Sequence, residues 1–310
     1  MAHIYIFSPS SAVRDKGAFQ RGLQRLKAQG HQVEVDAATL SSHQRFAGDD
    51  QTRIQAIARA AASGADVAMI SRGGYGLTRI LPQLPYKSIA KAIDQGMHFV
   101  GLSDFTAFNL AVYAKTGCIT WQGPALGEDF GGELEPDEIM QACFDDLLAD
   151  QGEGAGWQRS KSESLIQARV KNGVLWGGNL SVLCNLLGTP YFPQVDKGVL
   201  FLEDVGEHPY RVERMLTQLL LSGVLARQKA IVLAQFNNYK LVKAHDKGFK
   251  LESVVAWLRS QVKAPVLTGF PFGHVPTKVL LPVGAPVELV TENRDALIVW
   301  GHLKTARSKK

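Results

Sequence analysis

At 310 residues, with 45% hydrophobic and 20% charged side chains and 30 glycines, the chain reads as a soluble globular protein of one large or two modest domains, not a disordered one. Its net charge of +5 rests in part on the terminal Lys304, Arg307, Lys309 and Lys310, expected to be solvated and mobile. No basic face interleaved with aromatics is visible, which argues against nucleic acid as a partner, while the mild positive balance suits an anionic small substrate.

The opening MAHIYIFSPSSAV lacks the basic and long apolar segments of a signal peptide, and Ile4 to Phe7 reads as a first strand. A helical pattern from Ala18 to Ala28 stops at Gly30, and Gln32 to Val35 is a second strand. Ile54 to Ala62 is helical, Asp66 to Ile70 is a third strand, and Ile89 to Ile93 belongs to a helix ending at Gly96. Phe99 to Leu102 is a fourth strand, Phe105 to Ala114 a helix, and Ile119 to Trp121 a fifth strand. Strand and helix in strict alternation predict a parallel sheet covered on both faces.

Another helix opens at Pro136 and runs through Leu148, after which Asp150 to Ser162 turns rich in Gly, Gln, Ser and charge. That shift predicts an N-terminal α/β domain over 1–149, a linker over 150–163 and a C-terminal domain over 164–310. The last is more mixed, with apolar strands at Leu165 to Val170, Val199 to Leu202, Ala230 to Leu233 and Val266 to Leu267. A late pair, Val279 to Leu281 and Val287 to Val290, precedes Ala296 to Trp300, with Asn293, Arg294 and Asp295 as a hairpin turn. Helical patterns fall at Asn179 to Leu187, Tyr210 to Leu221 and Leu251 to Val262. No stretch approaches the roughly 20 apolar residues that span a bilayer, so no membrane partner is expected. Cys118, Cys143 and Cys184, odd in number and widely spaced, fit small buried hydrophobes in a reducing cytoplasm. With neither HExxH nor CxxC, no metal or other cofactor is expected.

Four turns could carry chemistry. Ser103, in Gly101-Leu102-Ser103-Asp104-Phe105-Thr106, lies on a sharp strand-to-helix join, where free N–H groups and the helix dipole favour an exposed nucleophile. The same residues also read as a plain helix N-cap, a role Ser fills well. In Ser71-Arg72-Gly73-Gly74-Tyr75-Gly76 the glycines can turn N–H groups toward one point, as in an oxyanion hole, or can simply make a tight turn. Glu203 follows the apolar Leu200-Phe201-Leu202 and must be paired or hydrogen-bonded if buried, with Asp204 and Glu207 as rivals. His274 closes Gly269-Phe270-Pro271-Phe272-Gly273-His274, whose Phe rings could wall off water, whereas His208 and His245 look superficial.

In this order the motifs resemble the LD-carboxypeptidase family of serine peptidases, which includes muramoyltetrapeptide carboxypeptidases and microcin-C self-immunity peptidases. The likeness rests on RGGYG at Arg72, GLSDFTA at Gly101, GGNLSVL at Gly177, LGTPY at Leu187, LFLEDVGEHPYR at Leu200 and GFPFGH at Gly269. It implies an α/β protein with a flavodoxin-like N-terminal domain and a β-rich α+β C-terminal domain, commonly homodimeric. It also implies Ser103 as nucleophile, Glu203 as the orienting acid and His274 as general base, with the backbone amides of Gly74 and Asp104 as oxyanion hole. Two departures stand out: Leu102 replaces an aromatic or β-branched residue, and Ala234-Gln235-Phe236 replaces Gly-Asp-Phe.

The reaction this implies is hydrolysis of the bond between a diaminopimelate or lysine L-centre and a terminal D-Ala in a murein tetrapeptide, through an acyl-enzyme. Arg72, a fork-shaped donor, is the expected contact for the substrate carboxylate, Tyr75 a further substrate contact, and Arg211 and Arg214 alternatives. A competing expectation keeps the triad for an aminoacyl-sulfamoyl nucleotide, and another makes the cleft a non-catalytic binding module.

Overall fold

A computed structural model describes residues 1–159 and 166–303. The basic terminal residues Lys304, Arg307, Lys309 and Lys310 lie outside the described residues, as do part of the expected linker and Leu165.

The strands are β1 (His3–Phe7), β2 (Gln32–Val35), β3 (Val67–Ile70), β4 (His98–Gly101), β5 (Thr120–Gln122), β6 (Gly154–Gln158) and β7 (Arg169–Asn179). They continue with β8 (Val199–Val205), β9 (Ala230–Asn237), β10 (Val266–Leu267), β11 (Leu281–Val283), β12 (Pro286–Glu292) and β13 (Asp295–Val299). Two sheets result, a six-stranded one in the order β11-β5-β4-β3-β1-β2 and a seven-stranded one in the order β10-β9-β8-β7-β12-β13-β6.

In the first sheet β1 to β5 are parallel, in the 2-1-3-4-5 order of flavodoxin-like folds. Every residue of β3 and β4 is buried, as expected of strands covered on both faces. The covering helices are amphipathic and capped from the sequence. Asp15 accepts from Ala18 N at 2.8 Å to start Lys16–Ala28, and Asp49 from Thr52 N at 2.7 Å to start Asp50–Ala62. In the second sheet β7 to β10 run parallel, while β12, β13 and β6 are antiparallel.

Two features of this layout differ from the sequence expectation. The stretch expected to be linker contains β6, whose alternation buries Ala155 and Trp157 and pairs them onto β13. Small residues and glycines disguised that alternation. The strand expected at Val279 to Leu281 instead falls at Leu281–Val283 and, as β11, pairs antiparallel with β5 of the first sheet, Leu281 opposite Gln122. The second half of the chain thus reaches across to finish the first sheet. The hairpin between β12 and β13 forms as expected, with Asn293 at φ 50° in the turn.

The halves are fastened by polar groups beside the crossing segment. Lys278 Nζ pairs with Asp129 Oδ1 at 2.6 Å, their side chains only 3% and 5% exposed, and Thr277 Oγ1 donates to Asp137 Oδ2 at 2.6 Å. Removing one partner of a buried ion pair leaves an uncompensated charge. Lys278→Met should therefore lower the unfolding free energy by about 3–5 kcal/mol in a urea titration, whereas the exposed-pair variant Lys250→Met should change it by less than about 1 kcal/mol.

Candidate active site

Ser103 stands between β4 and the helix Phe105–Thr116 with φ 66°, a left-handed conformation that costs a residue other than glycine about 1–2 kcal/mol. It does not cap that helix: the N-cap position falls to Asp104, and no side chain among the described residues fills the capping role. Ser103 is half-buried, and its hydroxyl has no hydrogen-bond partner among the described residues. The geometry is that of an elbow presenting a side chain, not of a cap.

What holds the elbow is the next residue. The buried Asp104 carboxylate accepts from Ser10 Oγ at 2.5 Å and Leu77 N at 2.9 Å, with Gly76 N a further donor. It ties together the turns that follow β1, β3 and β4. Burial raises its carboxyl above the ordinary range, opposed by those three hydrogen bonds and by the Arg53 charge. The sequence reading gave Asp104 only a backbone role; its side chain is the latch.

The glycine-rich turn packs directly on Ser103. A Cβ at Gly73 would stand 2.8 Å from Ser103 Cβ and 3.1 Å from its Oγ, so a side chain there would displace the serine. Gly74 adopts φ 112°, and the neighbouring Tyr75 N donates to Ser11 Oγ at 3.1 Å. The N–H groups of Gly74 and Asp104 donate to no acceptor among the described residues. Arg72 Nη1 donates to Ala12 O at 3.3 Å, and Arg72 Nε lies 3.9 Å from Glu128 Oε1. Tyr75 is exposed, its ring 5.9 Å from that of Phe46 and 5.8 Å from the Arg45 guanidinium.

On the facing sheet Glu203 is 0% exposed at the end of a fully buried run. Its Oε2 is hydrogen-bonded to His274 Nδ1 at 2.8 Å, and its Oε1 accepts from Asn179 Nδ2 at 3.1 Å. Asn179 Nδ2 also donates to Asp204 Oδ1 at 3.0 Å. Burial pushes Asp204 up to about 6, and the adjoining Glu203 charge adds to this. The rivals Asp204 and Glu207 do not take the imidazole: Asp204 serves Asn179 and Ser181, and Glu207 pairs with Arg211 at 3.7 Å.

His274 is fixed from both sides. Its carbonyl accepts from Asn237 Nδ2 at 2.7 Å, and the preceding Phe272 is fully buried, edge-on to Phe201 at 5.7 Å. Burial alone would lower its pKa from 6.5, but the Glu203 hydrogen bond and charge, with the Glu128 charge, outweigh it, and the net shift is upward. With Nδ1 engaged, Nε2 is the nitrogen left to meet a hydroxyl.

No hydrogen bond joins Ser103 Oγ to His274 among the described residues. The two halves are instead registered by a relay through Thr106. Its N–H donates to Ser103 O at 2.9 Å, and its Oγ1 accepts from Asn179 N at 3.0 Å, whose side chain holds Glu203. Gly178, at φ 130°, allows this approach, since a Cβ there would strike Thr106 and Gln122. Glu128 lies beside Arg72, and its charge acts on His274. Its carboxyl is raised by burial and by Asp129, against the charges of Arg72, His274 and Lys278.

Residues 4–123 match the LD-carboxypeptidase N-terminal domain and residues 172–289 the LD-carboxypeptidase C-terminal domain. The probable murein peptide carboxypeptidase of Bacillus subtilis (strain 168) is 30% identical, over 96% of this chain and 91% of its own. This chain belongs to the LD-carboxypeptidase family. Its fold is close to that of the muramoyltetrapeptide carboxypeptidase from Oxalobacter formigenes, with a TM-score of 0.86 and 37% identity over 98% of this chain and 100% of that one. The Escherichia coli microcin C7 self-immunity protein MccF is 25% identical over 97% of this chain and 93% of its own. MccF solved with glutamyl sulfamoyl guanosine also gives a TM-score of 0.86 at 25% identity, covering 98% of this chain and 97% of that one.

Within this LD-carboxypeptidase fold, sequence reasoning passed over Asn179, Thr106 and Glu128. Asn179 had a readable signal: an Asn closing a strand just before a helix is an N-cap, and its Oδ1 does accept from Val182 N at 3.2 Å. Glu128 and Lys278 had none, because their partners lie far along the chain. The Gln235 departure has a local account, since its Nε2 donates to Phe270 O at 3.1 Å, which an aspartate could not do.

The raised His274 pKa fixes a sign. A group titrating higher when folded adds stability below its ordinary 6.5, and this is lost as pH rises through the raised value. Proton NMR titration of the His274 imidazole should give a midpoint above 6.5, and Glu203→Gln should move it downward. A midpoint unchanged by Glu203→Gln would contradict the pairing.

Proposed function

We propose that the protein is a serine-type LD-carboxypeptidase that removes the terminal D-Ala from murein tetrapeptides. The observation that carries the reading is the Glu203–His274 hydrogen bond of 2.8 Å on one sheet, tied through Asn179 and Thr106 to the left-handed Ser103 elbow on the other. Glu203 fixes the tautomer and stabilises the imidazolium. His274 Nε2 accepts the Ser103 proton as Oγ attacks the carbonyl, then returns it to the departing D-Ala amine. The same imidazole activates the water that releases the tripeptide.

The amides of Gly74 and Asp104, free of protein acceptors among the described residues, suit an oxyanion hole. A donor in such a hole is worth about 10²–10³ in rate. Arg72 would exchange its 3.9 Å approach to Glu128 for the substrate carboxylate, and Tyr75 would line the entrance. This reading carries with it a cytoplasmic, homodimeric enzyme of murein recycling. The likeness to the Oxalobacter formigenes muramoyltetrapeptide carboxypeptidase, at 37% identity, supports a murein peptide as substrate, and the likeness to MccF, at 25%, leaves an aminoacyl-sulfamoyl nucleotide as the alternative that the assay below separates.

Purified enzyme should release D-Ala from murein tetrapeptide and leave an aminoacyl-sulfamoyl nucleoside intact. Ser103→Ala should lower kcat by at least about 10⁴. Retention of wild-type turnover by that variant would remove the serine mechanism, and cleavage of the nucleoside alone would reassign the substrate.

A further inference from the structure

One more charge borders Arg72 and His274, and the triad gives it no role. Glu128 lies in the turn Leu126–Phe130, which packs on the glycine-rich turn through Gly127 N, donating to Ser71 O at 2.9 Å. Leu126 and Phe130 are fully buried and anchor the two ends of that turn. The Glu128 carboxylate comes to 3.9 Å from Arg72 Nε, and its charge acts on His274. It therefore borders the crevice that a peptide attacked by Ser103 would enter.

Three observations bear on what this carboxylate is for. The adjacent Asp129 is fully engaged, Oδ1 with Lys278 Nζ at 2.6 Å and Oδ2 with Ala125 N at 2.8 Å. Glu128, by contrast, accepts no hydrogen bond among the described residues, and its side chain is 43% exposed. Its surroundings are also short of positive charge: burial and then Asp129 raise its carboxyl, and the charges of Arg72, His274 and Lys278 do not offset them. Lastly, Arg72 is the group to which a substrate carboxylate is assigned above. Once that carboxylate arrives, Glu128 loses its ion-pair partner and meets a like charge, unless the same substrate brings a cation.

We propose that Glu128 is a specificity-determining residue that binds the side-chain ammonium of the amino acid on the acyl side of the scissile bond. This rests on the carboxypeptidase reading, whose substrate carries a terminal carboxylate and, on diaminopimelate or lysine, a distant amino group. Arg72 then reads the residue that leaves and Glu128 the residue that is transferred to Ser103. A neutral side chain of equal length leaves the Glu128 charge uncompensated and is discriminated against.

Two pairs of murein tetrapeptides test this, each pair differing only in that amino group: lysine against norleucine, and diaminopimelate against 2-aminopimelate. In the pair that the wild-type enzyme accepts, kcat/KM should favour the amine by at least about tenfold, mostly through KM. Glu128→Gln, which keeps the size and removes the charge, should bring the ratio close to unity, and Glu128→Ala should do the same. The ratio cancels any general loss of rate transmitted through His274. Isothermal titration of Ser103→Ala with the same peptides should show the same preference as affinity, lost in Ser103→Ala/Glu128→Gln. Equal treatment of both members of each pair by wild type, or a preference that survives both Glu128 variants, would overturn the proposal. Release of D-Ala from none of the peptides would instead remove the carboxypeptidase reading, and the affinities would still decide what Glu128 binds.

Discussion

A carboxylate with no solvent exposure is the constraint around which the site is built. Glu203 sits in the middle of the protein, and a buried charge is tolerated only when its lone pairs are occupied. Here each oxygen has one partner, His274 Nδ1 and Asn179 Nδ2. The requirement propagates outward. His274 must hold its ring in one orientation, which fixes the Phe270–His274 loop, and Asn179 must sit at the end of β7, which fixes where the second sheet meets the first. The apolar residues before Glu203 drive β8 into the core; the charge at its end decides what has to be waiting there.

The opposing half solves a different problem. Ser103 occupies a left-handed conformation that a non-glycine residue does not choose, and such strain persists only where the surroundings over-determine it. Asp104 supplies that over-determination by gripping Ser10, Leu77 and Gly76. The three turns lie at the carboxyl edge of β1, β3 and β4, beside the β1/β3 switch point where open parallel sheets form their crevice. Exchanging Asp104 for Asn would keep one acceptor oxygen and give up the charge. Exchanging it for Ala would free the turns altogether.

Much of this was visible in the sequence because it is local. In the first half β3 is an unbroken apolar run, and the helices Lys16–Ala28 and Asp50–Ala62 carry Asp caps, so the alternation of strand and helix is legible there. Ser103, Glu203 and His274 each close or follow an apolar strand, and the resemblance of the ordered motifs assigned them roles that isolated residues could not. β6 was hidden because Gly154, Ala155 and Gly156 carry almost no hydrophobic signal. That β11 would join the first sheet could not be read from the sequence, since pairing across sheets leaves no trace in a short apolar run. Lys278 and Asp129 lie 149 positions apart, and Thr106 and Asn179 lie 73 apart. Such long-range polar pairs are created by the fold and announced by neither member.

The character of the seam follows from what it must do. Two sheets joined only by apolar surface could slide by a fraction of an ångström at small cost, because hydrophobic contact is non-directional. Proton transfer between groups on opposite sheets tolerates no such slack. The seam instead uses directional bonds: Thr106 to Asn179, Gln122 to Thr106 at 2.8 Å, and Lys278 to Asp129. It does so imperfectly, since among the described residues Gln122 Oε1 and Asn109 Oδ1 are buried there without partners. Each unsatisfied group costs about 1–3 kcal/mol. An apolar replacement would remove that cost and with it the registration on which the serine mechanism proposed above depends.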